Sequence, residues 1–178
     1  PGATGGSGTN GGGNGGGGVA GSNACANTGS GGGGAGQSPP ACVKAGGNGG
    51  SGIVVVKELN KASGVWNLRT HYSKLRESTR TWPASLMTSF SSGLLVVAGG
   101  GAGAGYSGRG GGGAGGARLL TDHTVNGNTE IPVTVGGGGA SKTYPAPNNG
   151  NPGNTSTFGN PLNPISSSGG GGGGGCTS

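Results

Sequence analysis

The chain has 178 residues, which bounds it to one domain with at most a small appendage. Of these, 52 are glycine, and only 28% are hydrophobic. Charge is sparse, with 10 Lys and Arg against 4 Asp and Glu for a net +6. No stretch approaches the ~18 apolar residues of a membrane-spanning helix, and no basic block marks a nucleic-acid surface.

Glycine runs dominate the sequence, at 11–13, 15–18, 31–34, 99–101, 110–113, 136–139 and 169–175. Ordering glycine costs about 0.5–1 kcal/mol per residue relative to alanine, so the default for this composition is a flexible linker. Two ordered alternatives exist. Collagen needs strict Gly-X-Y with abundant proline; the chain has 10 prolines and no three-residue repeat, which excludes it. The other is a packed array of polyglycine II helices, with three residues per turn and no internal hydrogen bonds. Every backbone N–H and C=O must then find a partner on a neighbouring segment. The expected fold is accordingly mostly irregular or β, a polyglycine II bundle with a few short strands beside it.

The chain begins at Pro1 rather than Met, which points to a processed product or a segment of something longer. Residues 1–51 are low-complexity Gly, Asn, Ser, Thr and Ala, suited to loops between glycine helices. A β-branched run predicts a first strand over about 53–57. Val65, Leu68, Tyr72 and Leu75 fall on one face of a helix over about 65–79, with Arg69, Lys74, Arg76, Glu77 and Arg80 opposite. Trp82-Pro83 stops it. A second strand is expected over 94–98, a short one over 117–121, and a third over 131–135 with Pro132 marking a sheet edge. Residues 141–168 read as Pro/Asn/Ser-rich turns.

Chemistry-bearing residues are few. Cys25 and Cys42 bracket one glycine-rich loop, and a disulfide between them would close about 16 residues and contribute around 3 kcal/mol. Cys176 is then odd, free or paired with another copy. Three scattered Cys with His71 and His123 do not make a zinc site. Gly99–Ala104 after a strand fits G-x-G-x-x-A, with Asp122 near the ribose-contact spacing. No helix can follow, because Gly105-Tyr-Ser-Gly-Arg-Gly-Gly does. Gly136–Thr143 resembles a phosphate loop, but Ser141 stands where the second glycine belongs and Tyr144-Pro-Ala-Pro follows. Asn154-Thr-Ser156 is a glycosylation sequon, meaningful only in a eukaryotic secretory host. No catalytic arrangement and no cofactor are expected, and the chain is not expected to be an enzyme.

Leu94-Leu-Val-Val-Ala-Gly-Gly-Gly101, Gly110-Gly-Gly-Gly-Ala-Gly-Gly116, Ile131-Pro-Val-Thr-Val-Gly-Gly-Gly-Gly139 and Asn154-Thr-Ser-Thr-Phe-Gly159 resemble the glycine-rich domain of phage tail fibres and related extracellular proteins. Gly49-Gly-Ser-Gly-Ile-Val-Val-Val56 is similar to that domain's closing strand. Ala62-Ser-Gly-Val-Trp-Asn-Leu68 and Thr81-Trp-Pro83 resemble the helical linker of cyanophage-type structural proteins. The resemblance implies a fibre or adhesin, extracellular or on a virion, with packed polyglycine II helices and no catalysis.

One departure from that family is its order. Residues 1–57 read as the closing half of a glycine-rich domain, 58–92 as the linker, and 93–178 as the opening half, to be completed by a neighbouring copy. Two roles follow. The first is a structural filament whose partner is a second copy. The second is an adhesin whose Tyr106, Arg109, Tyr144 and Pro145–Pro152 loops contact a cell-surface glycan. An ice-binding role fits less well, because threonine is not periodic.

Overall fold

The computed structural model describes residues 5–36, 44–58, 89–105, 110–126, 129–143, 149–159 and 164–175. The helix expected over 65–79 lies outside them, and the described residues contain strands and irregular backbone but no helix. Six strands occur among the described residues: β1 (Ile53–Glu58), β2 (Ser89–Val97), β3 (Ala117–Asn126), β4 (Val133–Thr134), β5 (Ser156–Phe158) and β6 (Ile165–Ser167). They form two three-stranded sheets, ordered β1-β2-β3 and β4-β5-β6. In the second sheet both pairings are antiparallel, with Thr157 opposite Thr134 on one side and Ser166 on the other.

The chain divides into two compact units, one of Pro1–Val55, Leu95–Arg118 and Ile131–Ser178, the other of Val56–Leu94 and Leu119–Glu130. The first unit holds the extended glycine-rich runs. They are run I (5–9), II (11–18), III (20–25), IV (29–36), V (44–52), VI (98–105), VII (110–116), VIII (136–143), IX (149–155) and X (168–175).

Run VI is the centre, and all its residues are buried. Its amides serve three neighbours in rotation. Ala98, Gly101 and Ala104 donate to Gly116, Gly113 and Gly110 of run VII. Gly99 and Ala102 donate to Asn154 and Asn151 of run IX, and Gly100 and Gly103 to Gly50 and Gly47 of run V, all at 2.8–3.0 Å. Each neighbour is thus met by every third residue. The carbonyls of run VI serve three others. Gly101 and Ala104 accept from Gly32 and Ala35 of run IV, Gly99 and Ala102 from Gly170 and Gly173 of run X, and Gly100 from Gly139 of run VIII. The runs that accept from run VI are antiparallel to it, and runs IV and X, which donate to it, are parallel.

The six neighbours also bond to one another and close a ring in the order IV, VII, X, IX, VIII, V. Gly112 donates to Gly32, Gly113 to Gly171, Gly153 to Gly170, Asn154 to Gly137, Gly49 to Gly139 and Gly50 to Ser30. Such a ring requires backbones to approach without side chains between them. A Cβ built on Gly49, Gly99, Gly100, Gly101 or Gly103 would lie closer than 3.0 Å to a backbone carbonyl oxygen of a neighbouring run. Residues 1–57 and 93–178, expected as two halves of a glycine-rich domain, therefore hydrogen-bond to each other within one chain.

Runs I–III lie outside the ring. Gly13 and Gly16 of run II donate to Gly31 and Gly34, and Gly21 and Ala24 of run III to Ala45 and Asn48. Runs I and II are joined by Thr9-Asn-Gly-Gly12, where the Gly12 amide donates to the Thr9 carbonyl. Asn10 and Gly11 both have positive φ, 51° and 87°. This is the type I′ turn for which Asn-Gly is the preferred pair.

Every strand is continuous with a run: β1 with V, β2 with VI, β3 with VII, β4 with VIII, β5 with IX and β6 with X. The strand order in each sheet repeats the neighbour order of the runs. Along β2 the buried residues are Ser92, Leu94 and Val96, a period of two, with the residues between them half-buried. From Ala98 to Gly105 every residue is buried. In the first unit, the Ser156 hydroxyl accepts from the Gly136 amide and donates to the Val97 carbonyl, both at 2.8 Å. The Ser167 hydroxyl donates to the Val96 carbonyl at 2.8 Å. In the second unit the buried Ser92 hydroxyl donates to the His123 carbonyl at 3.1 Å, and Val125 is also buried.

The strand expectations hold with shifted bounds. The third expected strand contracts to Val133–Thr134, and the Pro132 carbonyl instead accepts the Gly159 amide at 3.1 Å. The strand expected over 117–121 extends to Asn126.

Candidate functional site

Both glycine motifs that mimic nucleotide loops are absorbed by the array. The amides of Gly99 to Ala104, which a dinucleotide would need, all donate to runs V, VII and IX. In the phosphate-loop mimic, the Gly136 amide donates to Ser156, that of Gly139 to Gly100, and that of Ser141 to the Asn48 Oδ1 at 2.7 Å. These three amides are therefore not available to a phosphate. Among the described residues no group of three His, Cys, Asp or Glu can hold a metal. No helix among them is long and apolar enough to cross a membrane.

Tyr106, Arg109 and Tyr144, the candidate ligand contacts, lie outside the described residues, as do Cys42 and Cys176. Cys25 is exposed. The structure does bring together described residues that flank those expected contacts. An added Cβ on Gly105, which precedes Tyr106, would meet the Lys142 carbonyl oxygen at 2.5 Å and that of Lys44 at 3.2 Å. The Gly110 amide, after Arg109, donates to Gly174, and the Gly175 amide to the Asn149 Oδ1 at 2.6 Å. The ends of runs V, VI, VII, VIII, IX and X thus converge.

A feature that sequence reasoning missed lies on the flank of the first unit. Asparagine side chains act as carbonyl substitutes at several run edges. Asn23 Oδ1 accepts from the Asn48 amide, Asn48 Oδ1 from Ser141, and Asn14 Oδ1 from Gly8. Of runs VII and X, only the end residue Gly175 meets such a side chain among the described residues, the Asn149 Oδ1. Their largest side chains are the Ala114 methyl and the Ser168 hydroxymethyl, and Gly110, Gly111, Gly113, Ala114, Gly171, Gly172 and Gly174 are exposed. The amides of Gly111, Ala114, Gly171 and Gly174 have no backbone partner among the described residues. The face is a row of bare peptide groups. Only the length of Gly169–Gly175 hinted at it, because a glycine run gives no sign of which side is covered.

This arrangement defines a scaffold built from extended glycine-rich segments. The chain belongs to the glycine-rich domain family, whose match spans residues 77–178, more than half of the sequence. Runs VI to X fall inside the match, and runs I to V precede it. No curated protein and no solved structure matches the chain.

Proposed function

We propose that the chain is a structural fibre or filament protein, phage-like and extracellular or virion-borne, whose glycine runs are polyglycine II helices that associate between copies. The observation that carries this is the closed ring of six runs around run VI, served by every third residue. Three residues per turn is the period of polyglycine II, and its backbone bonds must all be made between segments. An array of this kind has no intrinsic lateral limit. It stops only where side chains or turns cover the outward peptide groups, and runs VII and X leave theirs uncovered. A protein with this surface adds further copies.

Electron microscopy of the purified protein, paired with diffraction from aligned material, tests the reading. It predicts uniform filaments and an axial spacing of about 3.1 Å. Discrete particles without that spacing would overturn it.

The convergence of the run ends that carry Tyr106, Arg109 and Tyr144 favours a second reading, an adhesin that contacts a cell-surface glycan. Under that reading Tyr106→Ala and Tyr144→Ala abolish host binding. A fibre tolerates both.

A further inference from the structure

The alternation of donors and acceptors around run VI locates the open groups of its neighbours. Run VI meets run IV with carbonyls, VII with amides, X with carbonyls, IX with amides, VIII with carbonyls and V with amides. Run X follows the same rule. It offers the carbonyls of Ser168, Gly171 and Gly174 to run VII, the amides of Gly170 and Gly173 to run VI, and the carbonyls of the same two residues to run IX. The next direction, beside run VII, belongs to the amides of Gly171 and Gly174. Run VII gives its Gly110, Gly113 and Gly116 amides to run X, the carbonyls of these residues to run VI, and its Gly112 and Gly115 amides to run IV. Its direction beside run X belongs to the carbonyls of Gly111 and Ala114. One donor row and one acceptor row therefore border the groove between runs VII and X, and all four residues are exposed.

The geometry points to this groove as the docking surface for the same face of a second copy of the chain, a conclusion that rests on the self-assembly reading above. Two observations select that occupant. Inside the array, runs sit so close that an added Cβ commonly meets a neighbouring carbonyl oxygen at under 3.0 Å, so a partner that reaches both rows must itself be bare on its facing side. Runs VII and X are themselves such segments. Placed antiparallel against their own kind about a two-fold axis, they present the complementary rows and close a pair of copies, so the filament proposed above is built of such pairs joined at a second surface.

The test uses the full chain with Gly171→Arg and Gly174→Arg together. An added Cβ at either position meets nothing within 4 Å, so the fold accepts both side chains while the groove is blocked. Gly6→Arg is the control, at a position equally open but on run I. Sedimentation velocity should show self-association of the wild-type chain and of Gly6→Arg, with the dissociation constant of the double variant raised about tenfold or more. Unchanged association of the double variant overturns the groove and leaves assembly standing. A wild-type chain that stays monomeric overturns assembly and the groove together. Amide exchange on the wild-type chain gives a variant-free check. Gly171 and Gly174 should gain protection as concentration rises, and equal exchange in dilute and associated samples would remove the groove from the interface.

Discussion

Gly101→Ala puts one methyl group at the centre of the array. The added Cβ would meet the Gly171 carbonyl oxygen and carbon and the Gly170 carbonyl oxygen, all closer than 3.0 Å and all backbone. Backbone cannot rotate away as a side chain can, so run X must move off run VI. That breaks the bonds from Gly170 to Gly99 and from Gly173 to Ala102, both buried. Leaving buried peptide groups unpaired costs about 1–3 kcal/mol each. The lower entropy of the unfolded alanine chain returns about 0.4–1 kcal/mol. Counting one such penalty per lost bond, the net expectation is a destabilisation of about 1–5.5 kcal/mol. Gly171→Ala is the matched control, since its Cβ meets nothing within 4 Å. It should be neutral or stabilising by about 0.4–1 kcal/mol. Urea denaturation of both variants measures the difference. Equal stability of the two, or a Gly101→Ala chain as stable as wild type, would refute the packing argument.

Other substitutions probe the joints between strands and runs. Ser156→Ala removes two hydrogen bonds from a fully buried hydroxyl, to Gly136 and Val97, and should cost about 2–3 kcal/mol by the same denaturation assay. Leu94→Ala empties a fully buried position and should cost about 2–5 kcal/mol, whereas Leu119→Ala, 70% exposed, should stay within about 0.5 kcal/mol. Asn48→Ala deletes the acceptor for the exposed Ser141 amide and should cost about 0.5–1.5 kcal/mol, with faster exchange of that amide.

The sequence carried some of this fold and hid the rest for identifiable reasons. Ile53-Val-Val-Val56 and Leu94-Leu-Val-Val97 announce strands because β-branched and apolar residues cluster there. The start of β2 at Ser89 is silent, since Ser92 is buried only because its hydroxyl reaches the His123 carbonyl. β5 and β6 were missed: three residues each, mostly hydroxyl-bearing, they are held by bonds to the carbonyls of Val97 and Val96. Glycine density announced an array of extended segments but not its order. Run VI as centre and the ring around it follow from which carbonyl meets which amide, and glycine has no side chain to encode that choice. The bare face on runs VII and X is illegible for the same reason. The expected ligand contacts Tyr106, Arg109 and Tyr144 and the expected Cys25–Cys42 pair are not decided by the described residues.

Residue-resolved amide hydrogen exchange in dilute, monomeric protein tests the central claim most directly. An array served by every third residue predicts consecutive protection from Gly99 through Ala104. In run X it predicts protection at Gly170 and Gly173, with Gly171 and Gly174 exchanging fast. Fast exchange throughout run VI, or protection alternating every second residue as in a β-sheet, would contradict it.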